Sequence, residues 1–462
     1  METLTLKEIL EATKGELIKS PNIEKFSNLS TDTRTIKEKS IFVALKGERF
    51  NGNMYIKEAE LKGASLCIVD EVVLNEDELK SFNAGIIKVK DTKHGLMDMA
   101  AYYLKKLNVK VIGITGSTGK TSTKDLTAAA LSGKYKVFKT EGNFNNEIGL
   151  PLTILSMDST YEVAVLEMGM SNFGEIHNLA SVAKPHIGII TNIGVSHLEN
   201  LKTRENILKA KMEITDFFNK DNILILNHDN DILSTVDDKN DYKLIRIGIN
   251  SSKHGLNYKA HHIIIKEDGI KFSISENNQD VEEVFEINAL GMHSVLNSQL
   301  AIATARVLGL NFDEIRNGFK NIKNTSMRLQ IINNEDIKII NDSYNASPDS
   351  MKAAIEYLRT LNGKRKVAIL GTMKELGEDS YELHRDVAKF AKEKGIHDIL
   401  CIGEFSKAYI EGFGDGALEF SNKEELGKYY NNLREKGDIV LVKASRSMQF
   451  EDIVNYIDKL HS

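Results

Sequence analysis

At 462 residues the chain exceeds what one hydrophobic core fills, and its length points to about three domains. Hydrophobic residues make up 41% and charged residues 27%, the balance of a folded globular protein and not of a disordered or fibrous one. A net charge of −6 without a long basic run gives no reason to expect nucleic acid or an anionic membrane as a partner.

The two cysteines, Cys67 and Cys401, lie far apart in the apolar runs SLCIVD and DILCIG, without CxxC spacing, and are read as buried strand residues. The opening METLTLKEIL lacks a basic stretch followed by an apolar one, so no signal peptide is expected. No apolar run approaches the ~20 residues needed to span a bilayer. The expectation is a reduced, cytoplasmic, soluble protein.

In chain order, residues 1–85 hold short strands and helices, among them SIFVALKG and the helix-strand pair YIKEAELKGASLCIVD. From 86 to 324, apolar strands alternate with amphipathic helices. The runs VKVIGITG, YEVAVLEMG, HIGIITNIG and NILILN predict a parallel, helix-covered sheet. A β-rich insertion is expected near 244–290. From 325 to 462 the alternation restarts with IKIINDS, KVAILG, DILCIG and DIVLVKAS, which predicts a second, smaller doubly wound domain. The fold class is α/β in three domains.

The stretch VIGITGSTGKTSTKDL, Val111 to Leu126, has the context of a phosphate-binding loop. A continuous β-branched run precedes it, Gly116 and Gly119 permit a tight turn, and KTSTKDLTAAAL continues as a helix. Backbone N–H groups of such a loop cradle phosphate, a lysine (Lys120) reaches the β/γ oxygens, and a hydroxyl (Thr121) binds Mg²⁺. The cradle residues are Gly116, Ser117, Thr118, Gly119, Lys120, Thr121 and Ser122. The common spacing wants a glycine at Ile114, so the loop is a variant. A second metal-holding acid commonly ends a neighbouring strand, and Glu167 stands where the run YEVAVLEMG stops.

Other residues are locally ambiguous. Asn143, Asn145 and Asn146 crowd one loop, which turns alone could explain. His197 follows an apolar strand. Ile207, Lys211, Ile214 and Phe218 fall on one helical face, so Lys211 interrupts an apolar stripe. Snorkelling of its ammonium to solvent is the plain reading. His293 and Asn297 have metal-like i, i+4 spacing but no third ligand nearby. Asp342 ends a strand. Ser347 and Pro348 predict a helix start by a cap and a first-turn proline, with Met351, Ala354, Ile355 and Leu358 as its buried stripe.

The segments GITGSTGKTS, VAVLEMG, TEGNFNNEIG, TNIGVSH and NDSYNASPDSM, in this order over nearly the whole chain, resemble the Mur ligases, the ATP-dependent amide-forming enzymes of peptidoglycan synthesis. The resemblance implies three domains: a UDP-substrate domain, a central ATP domain and a Rossmann-like domain that receives the incoming residue. It implies Mg²⁺ ligands at Thr121, Glu167, His197 and Lys211, the last carbamylated by CO₂, with two Mg²⁺ ions in all. It places Asn145 and Asn146 beside the phosphates and Asn297 at the base, with Arg328, Asp342 and Asn345 reaching the nucleotide from the third domain. Lys120, Lys211, His197 and Arg328 are the implied catalytic groups.

Thr31, Asp32, Arg34, Lys46, Arg49 and Asn51 match the segment that binds the UDP end of the acceptor; a solvated β-hairpin is the local alternative. Lys443, Ser445 and Arg446 match a Lys-Gly-Ser-Arg segment, with Ala444 in place of the glycine, and offer donors for a dipeptide carboxylate. Within the family, FVALKGERFNG, NDSYNASPDSM and TMKELG favour the member that joins D-alanyl-D-alanine to UDP-N-acetylmuramoyl-tripeptide, acting as a monomer. The alternatives are the sibling adding the third residue, a folylpolyglutamate synthase-like ligase, and a nucleotide-binding regulatory protein.

Overall fold

The computed structural model describes residues 1–459, apart from 239–240, 250–254, 278, 280–281, 323–325 and 335. The boundary expected at 324/325 lies outside the described residues. Three principal sheets organise the chain. The first has five strands in the order Glu16–Lys19, Gly85–Lys88, Ala64–Val69, Ser40–Val43 and Asn28–Ser30, parallel except for the first pair. Its strand Gly85–Lys88 runs past the boundary expected at 85.

The central sheet runs Val137–Lys139, Val163–Glu167, Lys110–Thr115, Ile187–Ile190, Ile223–Asn227, Lys243–Gly248, Tyr258–Ile265, Ile270–Glu276 and Glu283–Ile287. The first seven strands pair in parallel, and the last two are added antiparallel. The β-rich region near 244–290 is therefore no insertion. It extends the same sheet, because Lys243–Gly248 pairs directly with Ile223–Asn227 and bridges it to the hairpin beyond.

The strand Lys110–Thr115 lies between Val163–Glu167 and Ile187–Ile190, so three parallel strands end side by side. Crevices at such carboxyl ends are where α/β sheets bind ligands. The third sheet runs Gln330–Asn333, Ile337–Asn341, Asp438–Lys443, Arg365–Gly371, Asp398–Ile402 and Ala417–Glu419. The neighbouring ends of Ile337–Asn341, Asp438–Lys443 and Arg365–Gly371 gather three loops at one edge.

Both cysteines are fully buried on strands, as the sequence leads one to expect. The helix Pro348–Thr360 starts at the predicted Ser347 cap and buries Met351, Ala354, Ile355 and Leu358. The helix carrying Lys211 is shorter than its stripe implies. It spans Arg204–Met212 and passes into a tighter turn over Glu213–Thr215, although Ile207, Lys211 and Ile214 are all buried. Among the described residues, no helix is long and apolar enough to cross a membrane.

Candidate active site

The strand Lys110–Thr115 ends in Gly116 and Gly119, with φ of 150° and 79°. A Cβ at Gly116 would stand 1.9 Å from Thr191 Oγ1, and one at Gly119 would stand 3.1 Å from Asn297 Oδ1. Ile114, where the common spacing has glycine, is fully buried inside the strand, so the tight turn begins later. Gly113 serves packing: a Cβ there would meet Met168 Cε at 3.1 Å. The following helix, Lys120–Leu131, has no side-chain cap at its start, which leaves its first turn open to a phosphate.

The loop is held from behind by residues that end the adjacent strand. Asn192 accepts the Ser117 N–H through its carbonyl (3.0 Å) and the Thr118 N–H through Oδ1 (2.8 Å). Thr191 Oγ1 donates to Thr118 O at 2.5 Å, and Gly194 N–H donates to Ser117 Oγ at 3.0 Å. Lys120 Nζ folds over the turn to donate to Gly116 O (2.9 Å). Burial pushes the Lys120 amine below its ordinary value, opposed by Glu167 and Glu375 and assisted by Arg328.

Thr121 Oγ1 donates to Glu167 Oε2 (2.9 Å), and Asn145 Nδ2 donates to Glu167 Oε1 (2.9 Å). Glu167 is only 3% exposed. From the segment leading into the third sheet, Arg328 Nη2 donates to Thr121 Oγ1 (3.0 Å), its guanidinium 4.2 Å above the Tyr344 ring. A hydroxyl beside a carboxylate at a phosphate loop suits Mg²⁺, which takes few protein oxygens and keeps the rest for phosphate and water. Among the described residues, no three histidine, cysteine or acidic side chains cluster as a ready metal site. His197 lines the same cavity, but its Nδ1 faces Glu375 Oε2 at 2.5 Å.

Lys211 is 1% exposed, so it does not snorkel to solvent. Burial holds its amine far below the ordinary lysine range, and the positive Lys120 lowers it further. It stands behind the cavity wall and does not line it.

The cavity, ≈ 740 Å³, is lined by Ser117 to Ser122, Asn145, Asn146, Glu167, His197, Asn297, Arg328, Asp342, Asn345 and Lys443. Phosphate-loop, strand-end and third-domain groups named from the sequence thus meet in one place. Asn297 Nδ2 is buried without a hydrogen-bond partner, a donor turned to a missing acceptor. Asn146 serves its own chain, its Oδ1 accepting from Ile148 and Gly149 N–H.

The expected dipeptide donors are placed differently. Lys443, 2% exposed, is committed to Asp342 Oδ2 (2.5 Å) and Asn345 O (2.9 Å) and braces that loop. Ser445 and Arg446 lie outside the cavity lining. Ser445 Oγ accepts Lys374 N–H (2.9 Å), and Arg446 Nη1 pairs with Glu451 (2.8 Å). The six first-domain residues are also outside it. Arg34 pairs with Asp32 (2.6 Å), Lys46 faces Glu71 (3.9 Å), and Lys46 and Asn51 pair in a hairpin whose turn holds Arg49. Thr31 is half-buried beside them. Sequence reasoning missed Thr191, Asn192, Tyr344 and Glu375. Thr191 and Asn192 had a signal, polar residues at the end of HIGIITN; Glu375 had only its place in TMKELG.

Fold and site together define an ATP-dependent ligase that forms a C–N bond: a phosphate loop on a parallel sheet, an oxygen-donor pair beside it, and a Rossmann-like domain closing over both. Residues 25–104 match the Mur ligase family catalytic domain, 114–305 the Mur ligase middle domain, and 327–446 the Mur ligase glutamate ligase domain. The chain belongs to the Mur ligase family. It is 38% identical over 459 residues to the UDP-N-acetylmuramoyl-tripeptide–D-alanyl-D-alanine ligase of Bacillus subtilis, covering 97% of each chain. A crystal structure of MurF from Acinetobacter baumannii superposes with a TM-score of 0.90 at 27% identity, covering 99% of each chain. MurF from Thermotoga maritima in complex with ADP does so at 0.82 and 28%, covering 94% of this chain and 97% of that one.

Proposed function

We infer that this enzyme joins D-alanyl-D-alanine to UDP-N-acetylmuramoyl-tripeptide at the expense of ATP, giving the pentapeptide precursor of peptidoglycan, ADP and phosphate. The observation that carries the reading is the chain Arg328–Thr121–Glu167, in which a third-domain arginine meets the phosphate-loop hydroxyl that rests on the strand-end acid. Similarity to the named D-alanyl-D-alanine ligases supports the choice of substrates. The reaction belongs in the cytoplasm, where ATP is supplied. The UDP end falls to the first domain, with Thr31, Asp32, Arg34, Lys46, Arg49 and Asn51 around it, and the dipeptide to the third.

The acceptor carboxylate attacks the γ-phosphorus, the bond to ADP breaks, and an acyl phosphate forms. The neutral dipeptide amine then attacks the acyl carbon, a C–N bond forms, the C–O bond to phosphate breaks and phosphate leaves, and one amine proton passes to water while the other stays on the amide nitrogen. Lys120, the open helix start and Arg328 hold the phosphates and offset the charge gathering on the equatorial oxygens. Asn297 takes the base with its unpaired amide, and Asp342 and Asn345, braced by Lys443, shape the nucleotide wall. Mg²⁺, when bound, neutralises phosphate charge and orients the transferred group. Thr121 and Glu167 would hold one ion, and His197 with Lys211 would complete the set. For that role the neutral Lys211 amine attacks CO₂, forms an N–C bond and loses a proton, so a cation becomes a carboxylate. Its burial away from solvent supports this.

The test is phosphate release with ATP, Mg²⁺ and the UDP-tripeptide, with and without D-alanyl-D-alanine, read with the mass of the product. Dipeptide-dependent release with a pentapeptide mass is expected. Addition of one amino acid to a UDP-dipeptide would identify the sibling activity instead, and nucleotide binding without an amide product would leave a binding protein.

A further inference from the structure

Glu375 is carried by the loop that follows the strand Arg365–Gly371 of the third sheet. Its carboxylate lies 2.5 Å from His197 Nδ1 of the central domain, in the field of Lys120 at the phosphate end of the cavity. Both residues of the pair have left-handed backbones, φ 66° at Glu375 and φ 64° at His197. Such a position favours glycine or asparagine, so at both ends of the contact the backbone is held in a conformation these residues adopt at a cost.

The loop is fixed on two sides. Lys374 N–H donates to Ser445 Oγ (2.9 Å) and Ser445 N–H to Thr372 O (3.2 Å), while Glu199 N–H reaches across to Glu375 O (3.3 Å). Gly377, with φ 66°, brings the loop so close that a Cβ there would lie 3.3 Å from Glu199 Cα. The Glu375 side chain remains 55% exposed, so beside its contact with His197 the carboxylate keeps a face open to a further partner.

Charge selects the ligand. The phosphate end of the cavity must hold γ-phosphate and an acceptor carboxylate, both anions, for which it supplies Lys120 and Arg328. Glu375 does not line the cavity itself but reaches its edge through His197, which does; a carboxylate held at that edge by the third domain opposes those anions and attracts a cation. The group that must arrive at this spot is the dipeptide's amino group, an ammonium when it docks, which gives a proton to water before the neutral amine attacks the acyl phosphate.

We propose that Glu375 is the binding residue for the primary ammonium of the incoming dipeptide, set by the third domain against His197 so that the amine docks beside the transferred phosphate. The inference rests on the ligase reading above.

Steady-state kinetics of Glu375→Gln, which removes the charge and keeps the shape, test it. The KM for D-alanyl-D-alanine should rise tenfold or more, while the KM values for ATP and UDP-tripeptide stay within twofold. Glu375→Gly, whose backbone suits the left-handed φ, should show the same split and guards against misfolding; Glu375→Asp should recover part of the affinity. Equal rises in all three KM values, or a lower kcat at unchanged dipeptide KM, would reduce Glu375 to a domain latch and overturn the proposal. A rise confined to the tripeptide would assign the carboxylate to the acceptor and not to the dipeptide, also overturning it. A wild-type enzyme without a dipeptide-dependent product would instead overturn the ligase reading.

Discussion

Lys211 and His384 are buried bases that the fold keeps for different reasons. Lys211, 1% exposed on an otherwise apolar stripe, has its amine held far below the usual range by burial and by Lys120. A neutral amine is the species that reacts with CO₂, so Lys211→Ala should lower turnover at least a hundredfold, with partial rescue by a small carboxylic acid such as acetate. Full activity without rescue would leave the residue a packing lysine. His384 is fully buried, accepting Met373 N–H at Nε2 (2.8 Å) and donating from Nδ1 to Ser380 O (2.6 Å). Burial pushes it down to about 4 from its ordinary 6.5. The unfolded chain therefore takes up the proton first as pH falls. Its contribution is complete above 6.5 and is lost as pH drops from there toward 4, with a ceiling of about 3 kcal/mol. Thermal melts should show wild type losing more stability than His384→Gln between pH 7 and pH 5; parallel losses would remove His384 from the account.

Among the elements, the phosphate loop shows what tight contact demands. Gly116 has φ 150° and no room for a methyl group against Thr191 Oγ1, which itself ties down Thr118. Gly116→Ala should raise the KM for ATP tenfold or more while the protein stays folded; unchanged nucleotide affinity would mean that the turn tolerates displacement. This loop was legible in the sequence because strand, glycines, lysine, hydroxyl and helix are consecutive. The helix Pro348–Thr360 was legible for the same reason, its cap, proline and apolar stripe being local. The end strands of the central sheet were not: their apolar alternation marks strands without saying which sheet they join, and only the pairing of Lys243–Gly248 with Ile223–Asn227 decides it. The His197–Glu375 contact was illegible, since neither residue carries a local sign of its left-handed backbone or of a partner in another domain. The partner of Lys443 was illegible for a related reason. A lysine beside Ser445 and Arg446 reads as an anion site, but Asp342 from a neighbouring strand end claims it.

For the molecule as a whole, the cores divide the three domains into two bodies. One continuous core joins Ile41, Leu66 and Ile87 of the first sheet, with Leu4 and Phe26 of a small two-stranded pair beside it, through the helix Thr92–Leu107, to Val111, Leu166 and Leu224 of the central sheet. Tyr103 of that helix accepts Glu2 N–H and donates to Met157 O, both at 2.5 Å, and so ties the two domains at one buried ring. The third sheet has its own cores on both faces, and among the described residues only Val195 and Leu290 of the central domain pack at their margin. Its contacts across the cleft are mostly polar: Arg328 with Thr121, Glu375 with His197, and Tyr357 Oη donating to Glu267 O (3.0 Å). An interface of that kind opens without exposing a core, which a domain that admits ATP and then closes on it requires. Denaturant should therefore release the third domain separately from residues 1–322. Tyr103→Ala, which opens a cavity in the shared core, should weaken only the larger body, by about 3–5 kcal/mol. Hydrogen exchange followed by mass spectrometry reads both, with protection lost in two groups of peptides and Tyr103→Ala shifting only one. Loss of all protection in a single step, or an equal shift in the third domain, would mean that the three domains fold as one body and that closure is not a rigid-body movement of the third domain.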